Sequence, residues 1–257
     1  MHRGMPDSRR TASMLEAMLP AALSVFAVLP VLSCASGSPS VPRRSDRVPA
    51  PSATEWTGER APVAPPRGGT PAEPVPDAWV LHVGDSFVHA FLWQNLRPRF
   101  LAQGTQYVVQ ATTATYTTTW AASPVLDEWL SRRPALVLVT LGANEVEMPD
   151  PNLHAKAIEG IARKIASAGA ACVWITPPMW KEESGILGVI REHCAPCLYF
   201  DSDAVLGGLS ADERQKDRIH PNARGGGRWA RAFWDWLADH RDPTRGQWAL
   251  EPFERRG

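Results

Sequence analysis

Apolar residues along the later two thirds of the chain gather in short runs, separated by segments of helical spacing. AWVLHV over 78–83, QYVVQ over 106–110, ALVLVTL over 135–141, ACVWIT over 171–176 and CLYF over 197–200 are each of strand length. The first, third and fourth are nearly continuous in apolar residues, as in strands covered on both faces. Helix-length segments fall between them at about 86–102, 121–132, 153–168 and 182–193, and a last one at about 223–239 follows. In 153–168, Leu153, Ala157, Ile158, Ile161, Ala162 and Ile165 recur at helical spacing. Trp229 and Trp236 share one face of the last segment, which points to core packing. The alternation predicts an α/β protein, a three-layer α/β/α sandwich around a five-stranded parallel sheet.

The first third reads differently. After Arg3, Arg9 and Arg10, residues 18–32 (MLPAALSVFAVLPVL) carry no charge. The run is short for a membrane span and holds Pro20 and Pro30, so 1–33 reads as a signal peptide. It ends Val31-Leu32-Ser33-Cys34, which resembles a bacterial lipobox and makes Cys34 the expected lipidation site. Residues 34–76 are rich in Pro, Ser and Gly and lack apolar periodicity; they are expected to form a tether between a membrane anchor and the domain at 77–241. Residues 242–257 are expected to be a polar, loosely attached tail.

Composition narrows the function. The 257 residues balance 27 basic against 27 acidic side chains, which argues against a nucleic-acid binder. Four cysteines are too few for a disulfide scaffold. With export expected, Cys194 and Cys197 of Cys-Ala-Pro-Cys are a possible disulfide, with Cys172 an alternative partner for either. A single Cys-x-x-Cys lacks the second ligand pair of a structural zinc site, so no metal is expected.

In parallel α/β sheets chemistry collects beyond the carboxyl ends of the strands. There the sequence places Gly84-Asp85-Ser86, Ala111 to Tyr116, Gly142-Ala143-Asn144-Glu145, Pro177-Pro178-Met179-Trp180 and, before the last helix, Asp217-Arg218-Ile219-His220. A serine hydroxyl needs a base to take its proton. His220 can serve, and Asp217, three residues earlier, can hold the ring in one tautomer. The backbone N–H of Ser86 at a helix start and the Asn144 side chain can stabilise an oxyanion.

These blocks, VLHVGDSF, LVTLGANE and DRIHPN, resemble the SGNH/GDSL hydrolase superfamily, in order and over about 78–239. The resemblance implies a flavodoxin-like sandwich, a Ser86–His220–Asp217 triad and an oxyanion hole of Ser86, Asn144 and a third backbone N–H. The family's third donor is a glycine after the second strand; ATTATYTTTW has none, and Thr115 is the best match, with Ala114 next.

Several residues have plainer readings. Asp85 reads as a cap or brace of its turn with no catalytic step, His82 inside a strand reads as structural, and His89 is left open between pocket and solvent. Trp180, with Trp93 or Trp120, is a candidate platform for an acyl chain or sugar against ordinary packing. The expected function is a serine esterase at the cell envelope, acting on an ester-bearing small molecule or polysaccharide such as an O-acetylated glycan, without a cofactor. Two alternatives stand beside it: an O-acyltransferase using the same residues, and a non-catalytic surface binding lipoprotein, which the missing glycine favours.

Overall fold

The computed structural model describes residues 78–253. The expected signal peptide, the lipidation site Cys34 and the tether at 34–76 lie outside the described residues. Strands β1 (Trp79–Gly84), β2 (Gln106–Ala111), β3 (Leu136–Thr140), β4 (Ala171–Ile175) and β5 (Leu198–Phe200) form one sheet in the order β2-β1-β3-β4-β5. Every neighbouring pair is parallel. The helices are α1 (Trp93–Ala102), α2 (Thr117–Ala121), α3 (Pro124–Ser131), α4 (Ala155–Ser167), α5 (Ile186–His193), α6 (Ser202–Leu206) and α7 (Ala223–Asp239).

Strand alternation divides the core in two. Leu81, Val83, Val137, Val139 and Trp174 face a layer built by α2 to α5, including Leu126, Ile158, Ile161, Ile165 and Ile190. Val80, Leu136, Leu138, Val173 and Ile175 face Leu96 and Phe100 of α1 and Trp229, Phe233 and Leu237 of α7. The arrangement is the expected three-layer sandwich.

Local chemistry sets the departures from the expected elements. The segment predicted as one helix over 86–102 bends at Ala90 and Phe91, where Phe91 has φ 63°, before α1 begins. The predicted helix over 121–132 starts later, as α3 at Pro124, because Ser123 accepts from the Val125 N–H and Pro124 opens the helix, and the short α2 precedes it. Within the described residues, the C-terminal segment from Asp242 to Phe253 is packed rather than loose. Asp242 N–H donates to Ala249 O at 2.8 Å and Glu251 N–H to His240 O at 2.9 Å. This turn buries Trp248, whose Nε1–H donates to Thr105 Oγ1 at 2.9 Å.

The disulfide joins Cys172 and Cys197, not Cys194 and Cys197. The register explains the choice. Val173 pairs with Leu198, so the residues just before them lie side by side on adjacent strands, with Cα atoms 4.5 Å apart. Cys194 caps the end of α5 as a buried free thiol, and burial pushes it up to about 12.

Helix α7 reaches the bend before α1 through glycine. A Cβ on Gly226 would lie 2.5 Å from Phe91 Cβ and 2.7 Å from Ala90 O, whereas one on Gly227 would meet nothing closer than Asn95 Oδ1 at 3.6 Å. Gly226→Ala is therefore expected to destabilise the domain by about 2–3 kcal/mol through overpacking. Gly227→Ala should be neutral or stabilising by up to about 1 kcal/mol, since it removes a helix-interior glycine. Denaturant titration of the two variants checks the contrast.

Candidate active site

Ser86 stands one residue beyond Asp85 at the carboxyl end of β1. Asp85 N–H donates to Thr140 O at 3.2 Å, and a Cβ on Gly84 would lie 2.2 Å from that same carbonyl. Only glycine permits this approach, which brings the ends of β1 and β3 together. The buried Asp85 carboxyl group caps the turn: Oδ1 accepts from Phe87 N–H at 2.9 Å. With capping done by its neighbour, the Ser86 hydroxyl is free for another partner.

That partner is His220. His220 Nε2 lies 2.8 Å from Ser86 Oγ, and Nδ1 lies 2.7 Å from Asp217 Oδ2. Asp217 Oδ1 also accepts from the N–H groups of Ile219, at 2.9 Å, and His220, at 3.1 Å. The hydrogen bond from the His220 ring, then those from the backbone, hold the Asp217 carboxyl below its ordinary value. The His220 ring packs on Phe87 with centroids 4.9 Å apart. The buried Arg214 ties down the surrounding loops, its Nη1 donating to Ile219 O at 2.6 Å and its Nη2 to Met179 O at 2.6 Å. Gln215 N–H donates to His220 O at 2.7 Å.

The expected oxyanion donors leave three adjacent strands, β2, β1 and β3. Among the described residues no backbone hydrogen bond engages the Ser86 or Thr115 N–H. Asn144 Nδ2 donates to Thr115 O at 2.8 Å and lies 3.4 Å from Asp85 Oδ2, so one of its N–H groups is only weakly held. The loop after β2, which lacks glycine, takes a left-handed residue all the same, Ala114 at φ 55°. That conformation costs an alanine about 1–2 kcal/mol.

Other candidates separate. Trp180 is half-buried and stacks on Phe87 with centroids 5.6 Å apart, the same ring against which His220 packs. Trp120 is buried, its Nε1–H donating to Thr115 Oγ1 at 3.0 Å, and Trp93 packs in the α1/α7 layer. His89 is exposed. His82 is buried between Tyr107 OH and Thr140 Oγ1, in keeping with a structural role. Sequence reasoning missed two groups. Arg214 carries no signal beyond its place three residues before Asp217, whereas Glu145, next to Asn144, sits inside a block already singled out.

Fold and site together define the class: an α/β/α sandwich with a serine, a histidine and a carboxylate in line at the carboxyl edge of the sheet. No family model and no curated protein matches the chain. Solved structures of similar fold include the psychrotrophic esterase EstA from Pseudoalteromonas sp., inhibited by monoethylphosphonate, at 18% identity and TM-score 0.51 over 63% of this chain and 98% of that one. TesA is similar at 22% identity and TM-score 0.51, over 62% of this chain and 97% of its own. LAE5, an α/β hydrolase enzyme from the metagenome of Lake Arreo, Spain, is similar at 19% identity and TM-score 0.51, over 62% and 94%. At these identities the likeness is one of fold.

The buried groups beneath the site carry a pH signature. Burial pushes the Asp85 carboxyl up from 3.8 to about 8 and the His82 ring down from 6.5 to about 3. Folded Asp85 keeps a proton that the unfolded chain has released, so its contribution falls as pH rises from 3.8 toward about 8. His82 acts in the opposite sense, its contribution falling as pH drops from 6.5 toward about 3. Above 6.5 only the Asp85 slope remains of the two, at most about 1.4 kcal/mol per pH unit. Between pH 6.5 and 8 the Tm is expected to fall with pH, and Asp85→Asn should flatten that slope, as thermal denaturation across the window will show.

Proposed function

We propose that this chain is a serine ester hydrolase. The observation that carries the reading is the Asp217–His220–Ser86 line, with contacts of 2.7 and 2.8 Å. Ser86 Oγ attacks the ester carbonyl carbon while His220 Nε2 takes the hydroxyl proton, and Asp217 holds Nδ1–H and stabilises the imidazolium. Ser86 N–H, Asn144 Nδ2–H and Thr115 N–H face the negative charge that gathers on the carbonyl oxygen. The tetrahedral adduct expels the alcohol, which takes its proton from His220, and leaves an acyl-Ser86. Water, deprotonated by His220, attacks the acyl carbon, and collapse of the second adduct releases the acid and returns the proton to Ser86. The line needs no metal or organic cofactor for these steps.

The proposed location, the cell envelope, rests on the N-terminal sequence. Removal of residues 1–33 and lipidation of Cys34 would leave the domain on a tether at the cell envelope. There a carboxylic ester such as an O-acetyl group on a polysaccharide is within reach. The half-buried Trp180, stacked on the Phe87 ring that also packs against His220, suits a sugar ring.

Ser86→Ala is expected to lower turnover of p-nitrophenyl acetate by at least about 10⁴-fold and to abolish labelling by a fluorophosphonate probe. Wild-type protein that takes up no probe would leave the non-catalytic binding reading. Wild-type protein that moves the acyl group to an added sugar rather than to water would make it an acyltransferase.

A further inference from the structure

Glu145 follows Asn144 in the loop after β3, and its side chain is wholly buried. A buried carboxylate is weak evidence for stability, since it is held at a desolvation cost. Its contacts are directional. Oε1 accepts from the Thr117 backbone N–H at 2.6 Å, at the start of α2. It also lies 3.5 Å from His154 Nδ1, which in turn lies 2.7 Å from Thr117 Oγ1. The Glu145 carbonyl accepts from Met148 N–H at 3.0 Å and from Ser184 Oγ at 3.3 Å. Oε2 is buried with no partner, so a single oxygen makes the tie.

The loops after β2 and β3 are thus bridged twice at neighbouring residues. Asn144 reaches Thr115 O at 2.8 Å, and Thr117 N–H reaches Glu145. The bridged segment lacks glycine and contains the left-handed Ala114. We propose that Glu145 is a positioning residue: its hydrogen bond to Thr117 locks the loop that presents the Thr115 N–H and fixes the Asn144 side chain, doing by a clamp what the family does with a glycine. The effect on rate rests on the esterase reading; the effect on the loop does not.

The test uses the full chain with Glu145→Ala, which removes the acceptor, and Glu145→Gln, which keeps an oxygen for Thr117 N–H. Glu145→Ala is expected to lower kcat on p-nitrophenyl acetate by about 10- to 100-fold, with KM within about threefold and the shape of the pH–rate profile unchanged. Glu145→Gln should keep kcat within about fivefold of wild type. Amide hydrogen exchange over residues 112–120 should quicken by about tenfold in Glu145→Ala, with β1 and α7 unaffected. Wild-type kcat in Glu145→Ala, exchange in 112–120 that does not change, or quickened exchange throughout the domain would each overturn the proposal. If the wild-type protein has no Ser86-dependent turnover, the esterase reading falls and the exchange result alone decides: local quickening supports the clamp and its absence overturns it.

Discussion

The hydrogen bond between Ser86 and His220 joins residues 134 apart in sequence, and most of the site's architecture bears on that one contact. On the serine side, Gly84 lets β1 approach the Thr140 carbonyl, and Asp85 caps the turn so that the hydroxyl stays uncommitted. On the histidine side, α7 must come close enough for its preceding loop to overhang the sheet. Gly225 and Gly226 permit this: a Cβ on Gly225 would lie 2.2 Å from Glu213 O, and one on Gly226 would press into the bend at Phe91. Arg214 then fixes the overhanging loop by its carbonyls. Glycine controls the approach and a guanidinium controls the angle.

The polar groups beneath this contact are graded by solvent. Asp217 is partly exposed, carries three hydrogen bonds and is held below its ordinary value, which suits a group that stays ionised beside an imidazole. Asp85, next to Ser86 in the chain, is wholly buried and driven the other way. His82 is denied its charge by the same burial. Two carboxyl groups near one serine thus meet opposite environments. The exposed one can answer a positive charge on His220, while the buried one serves as a brace and resists ionising.

Much of this was legible in the chain because it rests on local pattern. The apolar runs located all five strands to within a residue or two, and 223–239 matches α7 end to end. The Ser86, Asn144 and Asp217/His220 blocks lie where strand ends should place them. What escaped depends on contacts between distant segments. Spacing suggested Cys194 with Cys197, but pairing is set by the register of β4 on β5. The residues after Asp242 look polar in sequence, yet Trp248 finds Thr105 and Phe100 across the molecule and is buried. Arg214 is invisible for the same reason: its partners are carbonyl oxygens, which no side-chain pattern reveals.

The turn after β2 is built without glycine. Glycine at the third donor position makes a left-handed turn without steric cost but leaves the loop free in the unfolded chain. Here Ala114 takes the turn at φ 55°, and the strain is met by a set of ties: Thr115 Oγ1 to Thr112 O at 2.7 Å, Trp120 Nε1 to Thr115 Oγ1 at 3.0 Å, Asn144 to Thr115 O and Thr117 to Glu145. Each tie ends on the donor residue itself or on its close neighbours. A loop restrained from four directions holds its backbone N–H groups in place, and on the proposed reading of Thr115 as an oxyanion donor such a group needs no reorganisation when charge develops. The segment's threonines, which in sequence looked like a departure from the pattern of the SGNH/GDSL hydrolases that the chain resembles, thus supply the hydroxyl and backbone groups by which the turn is held.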